Sequence, residues 1–257
     1  MIEIPKNKRV FLAPLFASTD ETLVLSCLQG HMGRAFADDL QNPHCAQILI
    51  GDFCFFAGDA LHPDAKKLVQ NIPKRASHDP LLMIPLSPAW ESLIEQIYEG
   101  RFEKTLRYAI KKEKDIFQRP VLERFASELP RGFSLHPIDS IRYHQCLEQD
   151  FSRDFCSQFS SAEDYQNRGL GICALHQGKI VSGASSYTIY DGGIEIEVDT
   201  HPNYRRLGLA CACAAKLILL CLDRGLYPSW DAATLISVAL AQKLGYHVDT
   251  PYPTYLI

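Results

Sequence analysis

IEIEVDTHPNYRRLGLACACAAKLILLCLD, residues 194–223, is the stretch whose reading decides the fold. Its first seven residues alternate apolar and acidic side chains at period two, the pattern of a strand with one apolar and one acidic face. HPNYRRLG follows as a loop, and Leu209–Asp223 reads as a strongly apolar helix with Gly225 as its stop. The first N–H groups of such a helix have no intrahelical acceptor and lie at the positive end of its dipole. They can cradle a phosphate wherever side chains keep clear. Gly208 and Ala210 supply that clearance, and Arg205 and Arg206 supply charge. The dinucleotide fingerprint G-x-G-x-x-G and the phosphate loop G-x-x-x-x-G-K-[ST] are both absent from the chain.

Working outward, GICALHQGKIVSGASSYTIY reads as two strands joined at Gln177-Gly178, and Asp191-Gly192-Gly193 turns the chain into the acidic strand. Downstream, LYPSWDA reads as one further strand, SVALAQKLG as a last helix ending at Gly245, and YHVDTPYPTYLI as an extended aromatic tail. Upstream, Asp139 caps a helix through Gln149, and Ser160–Arg168 forms another. The turn Leu129-Pro130-Arg131-Gly132 marks the expected domain boundary, with residues 1–130 on one side and 131–257 on the other. In the first part, Ser18-Thr19-Asp20-Glu21 reads as a capping box ahead of TLVLSCLQG. AQILIGDFCFFAGD reads as a hairpin about Gly51-Asp52, and Pro63 opens a short helix. LLMIPL is a strand, Ser87-Pro88 caps a helix through Tyr98, Arg101–Ile110 is a strand, and Pro120–Leu129 a helix. Strands and helices alternate there without a chemical motif.

With 257 residues, the chain fits one large domain or two modest ones. A hydrophobic content of 47% with 22% charged residues excludes disordered, collagen-like and coiled-coil classes. A net charge of −4 gives no basic field for nucleic acid, and the mixed run RFEKTLRYAIKKEK reads as a solvated face. The apolar stretch Leu209–Leu222 is interrupted by Lys216 and too short to span a membrane, and the N-terminus lacks the apolar core of a secretory signal. The expectation is a soluble cytoplasmic protein. Nine cysteines, an odd number without C-x-x-C, sit mostly in apolar runs and read as reduced, packed thiols. Cys211, Cys213 and Cys221 have no histidine at a ligand spacing, so no metal is expected.

R-x-x-G-x-A after a strand and before a long helix resembles the acyl-CoA pyrophosphate signature of the GNAT N-acetyltransferase superfamily. The string EIEVDTHPNYRRLGLACACAAKLILLCLDRGLYPSWDAATLISVALAQKLGYHV is similar to one bacterial GNAT subgroup, which adds an N-terminal region and includes antibiotic self-resistance enzymes. The likeness is strong over 194–248, moderate over 129–193 and diffuse before that. It implies an α/β (α+β) fold: a mixed, mostly antiparallel sheet flanked by helices, preceded by a smaller α/β domain that is a degenerate copy or a wall of the acceptor pocket. The strand matching Ile194–Thr200 is expected to carry a bulge and to splay from the strand matching Leu226–Ala232. Acetyl-CoA would enter that splay as co-substrate, its pantetheine amides pairing with main chain at Val198, Asp199 and Thr200. Its pyrophosphate would lie on Arg205, Arg206, Leu207, Gly208, Leu209 and Ala210. The acceptor is expected to be a small-molecule amine. The alternatives are a peptide or protein N-acetyltransferase, or an acyl-CoA-binding module without catalysis.

Direct transfer requires a base for the ammonium of the acceptor, and Glu195 and Glu197, two apart on the strand, are the candidates. Asp199 is read as facing away from them and structural. Many family members have Asn near the start of the last helix, where this chain has Thr234; Ser237 matches the serine that often follows. The family's thiolate-protonating Tyr is replaced by Ala241, leaving Tyr246, Tyr252 or Tyr255 as substitutes. Trp230 reads as core or as a pocket wall, and Ser185-Ser186 as a possible acceptor-side lining.

Overall fold

The computed structural model describes residues 1–72 and 80–257. The chain forms two compact units, 1–107 with 251–257, and 108–250. This differs from the division at 130/131 expected from the Pro-Gly turn.

In the first unit, β1 (Ile2–Ile4) and a 3-10 segment (Lys6–Phe16) precede α1 (Thr22–Leu28) and β2 (Arg34–Ala37). Then come β3 (Cys45–Ile50), β4 (Phe53–Gly58), α2 (Ala65–Gln70), β5 (Leu82–Pro85), α3 (Pro88–Ile97) and most of β6 (Glu103–Ile110). The order β1-β2-β3-β4-β5 is antiparallel until β5, which lies parallel to β4 because α2 makes the crossover. The hairpin at Gly51-Asp52 forms as expected, with Ile50 opposite Phe53 and Gly51 at φ +55°. The capping box does not form at Ser18. Thr19 closes the turn after the 3-10 segment, its N–H bonding Phe16 O at 3.2 Å, and Glu21 instead accepts from Leu23 N at 3.4 Å as the cap of α1. The core gathers Phe56, Leu68, Met83, Trp90, Ile94 and, from the far end of the chain, Tyr255. Tyr255 is held there by its hydroxyl, which donates to Glu95 at 2.6 Å and to Glu91 at 3.1 Å.

In the same unit, Asp38, His44 and His62 meet although they are far apart in pattern. The Asp38 Oδ1 accepts the N–H groups of His44 and Cys45 at 2.8 and 2.9 Å. Its Oδ2 lies 2.9 Å from His44 Nδ1 and 3.6 Å from His62 Nε2. Burial pushes this carboxyl up, but the hydrogen bonds from Cys45 and His44 outweigh it and hold the group far below the usual carboxylate range. The two imidazoles lie parallel, with centroids 5.4 Å apart. The ligand atoms of the three residues all lie within 4.8 Å of one another. The cluster pins the β2–β3 turn to the loop after β4.

The second unit contains α4 (Arg119–Ser127), β7 (Phe133–Pro137), α5 (Ser140–Leu147), a 3-10 turn (Asp150–Phe155), α6 (Ala162–Arg168), β8 (Gly171–His176) and β9 (Lys179–Tyr190). It continues with β10 (Gly193–Thr200), α7 (Leu209–Asp223), β11 (Tyr227–Ser229), β12 (Asp231–Ala232), α8 (Leu235–Lys243) and the start of β13 (Val248–Leu256). The sheet order is β7-β8-β9-β10-β11, antiparallel except for the parallel pair β10–β11 bridged by α7. Gln177 and Gly178 both take positive φ, the two-residue turn that suits a right-twisted hairpin. α7 is apolar on nearly every side because it is covered on nearly every side. Its alanines and cysteines allow close approach to β8 and β9, and α4 packs along it. That packing places α4 in the second unit and explains why the Pro-Gly turn after it is no boundary. All nine cysteines are free and buried. Both units share one order of elements: antiparallel strands, a helix, a parallel strand, a second helix. Among the described residues, no helix is long and apolar enough to cross a membrane.

Candidate active site

The site follows from where one strand ends and the next leaves. β11 pairs with β10 over three rungs only, the last being Glu195 with Ser229. LYPSWDA, expected as one strand, is two: after Trp230, Asp231 and Ala232 turn away to pair with Ala109 and Tyr108 of β6. Trp230 fixes the corner, buried, donating from Nε1 to Ser237 Oγ at 3.0 Å and packed edge-on against Tyr246. It is a core residue. Residues 196–200 of β10 run on past this corner with no strand beside them on that edge among the described residues. The result is a V whose apex is the Glu195–Ser229 rung.

A register shift accompanies the V, but the extra residue lies on β9 rather than β10. Glu195 faces Thr188 and Ile196 faces Ser186, so Tyr187 is the extra residue on β9. The alternation along β10 is therefore uninterrupted. Thr200 lies on the α7 side, where Ser182, its hydroxyl partner at 2.7 Å, also meets Cys213. Glu195, Glu197 and Asp199 all fall on the other side, which corrects the reading of Asp199 as facing away. Glu195 is 5% exposed; Glu197 and Asp199 are half-buried. Burial pushes the Asp199 carboxyl up, against the pull of the Thr200 N–H, which it accepts at 2.6 Å, and of Arg205.

The loop after β10 leads into α7 through two left-handed residues, Arg206 at φ +63° and Gly208 at φ +82°, with Leu207 between them outside that region. Such alternation turns successive N–H groups toward one side. An arginine there is unusual, and backbone strain of this kind gathers at ligand sites. The first main-chain bond of the helix start runs from Ala212 N to Gly208 O. A Cβ on Gly208 would meet nothing within 4 Å, so the approach to these N–H groups is open. Arg205 is less free than expected. Its Nε donates to Thr200 O at 3.2 Å and its NH2 lies 3.7 Å from Asp199, so it ties the loop to the strand end.

Thr234 caps α8, its Oγ1 accepting Ser237 N at 3.2 Å, and remains exposed; the Ser237 hydroxyl is engaged by Trp230. Ala241 is fully buried. Of the substitute tyrosines, Tyr246 is buried and donates to Pro228 O at 2.5 Å, and Tyr255 is committed to Glu91 and Glu95. Ser185 and Ser186 are core: Ser185 bonds Tyr165 and Phe155 O, and Ser186 accepts Leu170 N. Around the apex stand residues the sequence did not single out. The Tyr190 hydroxyl is 2.9 Å from Ser229 Oγ, and Tyr227 bonds the main chain of residues 111 and 113. Burial pushes Tyr190 up to about 12 and raises Tyr227 and Tyr246, and in all three the negative charge of Glu195 adds to the shift. The only signal for Tyr190 in the sequence was its place before the turn Asp191-Gly192, which carries no chemistry by itself.

The arrangement offers, among the described residues, a strand edge with no strand beside it, main-chain donors for an anion at its far end, and a carboxylate at its root. The family model for GNAT acetyltransferases matches residues 13–255. A Bacillus subtilis (strain 168) relative described as the uncharacterized N-acetyltransferase YdfB is 27% identical, over 98% of this chain and 97% of its own. The crystal structure of a GCN5-related N-acetyltransferase-like protein from Streptococcus suis 89/1591 superposes with a TM-score of 0.89 at 43% identity, covering 97% of this chain and 98% of that one. A GCN5-related N-acetyltransferase from Sphaerobacter thermophilus shares the fold at 14% identity, with a TM-score of 0.58 over 100% and 95% of the two chains. With a family match over nearly its whole length, the chain belongs to the GNAT acetyltransferases and is an acyl-CoA-dependent N-acetyltransferase.

Proposed function

We propose that the chain transfers acetyl from acetyl-CoA directly to the amine of a small, cationic molecule. The observation that carries this reading is the V: strand pairing with β11 ends at Glu195 and Ser229, and β10 runs on, with no strand on that edge among the described residues, into the left-handed loop at Arg206 and Gly208. The residues suit the donor. The edge at 198–200 offers main-chain groups to pantetheine amides, the N–H groups of 206–210 offer a cradle to the pyrophosphate, and Thr234 lies exposed at the α8 cap. When bound, acetyl-CoA supplies an activated thioester carbonyl.

Glu195, at the apex, is the base for the acceptor nitrogen; Glu197, one pleat outward and half-buried, passes the first ammonium proton on to solvent. Glu195, Glu197 and Asp199 together make one side of the strand acidic, which favours the approach of a cation. Buried free thiols throughout suit a reducing, cytoplasmic setting. The first unit carries the same element order without the V, since β4 and β5 stay paired from Phe53 to Phe56, and it is read as a copy that has no donor site.

Calorimetric titration with acetyl-CoA and CoA tests the donor half. Saturable binding by the wild type, lost in Arg206→Glu, is expected; absence of binding to the wild type overturns the reading. Release of CoA thiol on adding small cationic amines, and none with peptides bearing free N-termini or lysines, tests the acceptor class.

A further inference from the structure

Ala241 stands where many family members have a tyrosine, and Tyr246 and Tyr255 are committed to Pro228 O and to Glu91 and Glu95, so a partner for the leaving thiolate is sought at the apex of the V itself. Tyr190 is the last residue of β9 and faces Gly193, so its side chain lies on the same side as Glu195. A Cβ at Gly193 would overlap the Tyr190 phenol and the Tyr227 carbonyl. Only glycine there lets the ring cross β10 and set its hydroxyl 2.9 Å from Ser229 Oγ on β11. Ser229 is 2% exposed and is itself the rung partner of Glu195 at the apex of the V. Either hydroxyl can donate across this distance; with the phenol, the stronger acid, as donor, the serine proton is left to point elsewhere.

We propose that Ser229 is a catalytic hydrogen-bond donor to the departing sulfur and that Tyr190 is the positioning residue that holds and polarises it. The inference rests on the acetyl-CoA reading of the V. In the transfer step the amine nitrogen bonds the carbonyl carbon, the C–S bond breaks, and its electron pair stays on sulfur. The acceptor arrives as an ammonium, whose first proton leaves by way of Glu197 to solvent; the second, shed by the nitrogen as the amide forms, passes to Glu195. The thiolate, whose thiol has a pKa of about 8.5, leaves as an anion bonded to the Ser229 O–H and then takes up the proton held by Glu195. The carboxylate is restored and neither hydroxyl is consumed. Tyr190 stays neutral throughout the working pH range, since burial pushes it up to about 12, so it remains a donor. The titratable groups near the pair are Glu195, Tyr227, Tyr246 and the buried thiol of Cys221.

The test reads the thiol of bound CoA rather than turnover alone. Ultraviolet titration of the thiolate in the CoA complex is expected to place its pKa roughly one to two units lower in the wild type than in Ser229→Ala, because a hydrogen bond to an anion changes its stability by about 10- to 100-fold. Tyr190→Phe, which keeps the ring over Gly193, is expected to recover part of that shift toward the Ser229→Ala value. Affinity for desulfo-CoA should be the same in all three proteins, and kcat should fall about 10- to 100-fold in Ser229→Ala with little change in KM for acetyl-CoA. An equal thiol pKa in the wild type and both variants, with CoA bound by all, overturns the proposal. Failure of every protein to bind CoA overturns the donor-site reading instead. Matching melting curves identify the variants as folded.

Discussion

Glu195 and Asp38 are both carboxylates short of solvent, and what surrounds each decides its use. Asp38 has two main-chain N–H groups on one oxygen and two imidazoles near the other, so its charge is satisfied within the fold. Its pKa is held low, so it contributes stability that is fully present above the ordinary carboxylate value of about 4 and is lost as pH falls below it. Asp38→Asn should cost roughly 2 kcal/mol at pH 7, the scale of hydrogen bonds to a charged acceptor, and the gap between variant and wild type should narrow, without closing, in urea titrations at pH 3. Glu195 instead stands among three tyrosines at the end of a ladder. Glu195→Gln is expected to lower kcat by about 10²- to 10⁴-fold while CoA affinity is kept, and Glu197→Gln to cost less; rapid-quench or thiol-release kinetics beside titration separates the two. The alternation IEIEVDT made the acidic side legible in the sequence. The tyrosines were not legible, because a hairpin, a glycine and a parallel crossover bring them there.

Among the elements, the pairing of β10 with α7 was readable, since strand, loop and helix each carry a local signal: period two, Gly208, and a run of apolar residues. The V was not. LYPSWDA has the composition of a continuous strand, and whether its halves stay in one ladder depends on Tyr108 and Ala109, more than a hundred residues earlier. The loop geometry gives a test that stability alone would not predict. Arg206→Gly removes a left-handed non-glycine residue, worth about 1–2 kcal/mol, and should leave the melting temperature unchanged or raise it by ~2–4 °C while weakening CoA binding. Gly208→Ala meets no clash and should lower stability by only about 1 kcal/mol through its φ. Calorimetric titration and thermal melts on the same two variants would reveal whether this loop is built for a ligand or for the helix.

At the scale of the whole molecule, the sequence suggested two parts but not how the chain is shared between them. A cut after residue 130 takes α4 away from α7, stripping one side of a helix that has almost no polar side to expose. A cut after residue 107 leaves the first unit without residues 251–257, and with them without Tyr255, which is fully buried in its core and opposite Met83 of β5. Local composition cannot show this, because the tail YHVDTPYPTYLI reads only as extended and aromatic; its destination is set by a partner strand far away in the chain. Ending the chain at Thr250 therefore tests the division directly. Loss of a buried tyrosine costs about 3–5 kcal/mol by analogy with Phe→Ala in cores, enough to unfold a marginal unit. The expected outcome is one calorimetric transition lost or moved far down, with CoA binding by the remaining unit retained. Loss of both together would mean that the two units unfold as one, and that the donor site depends on the first unit as well as on the V.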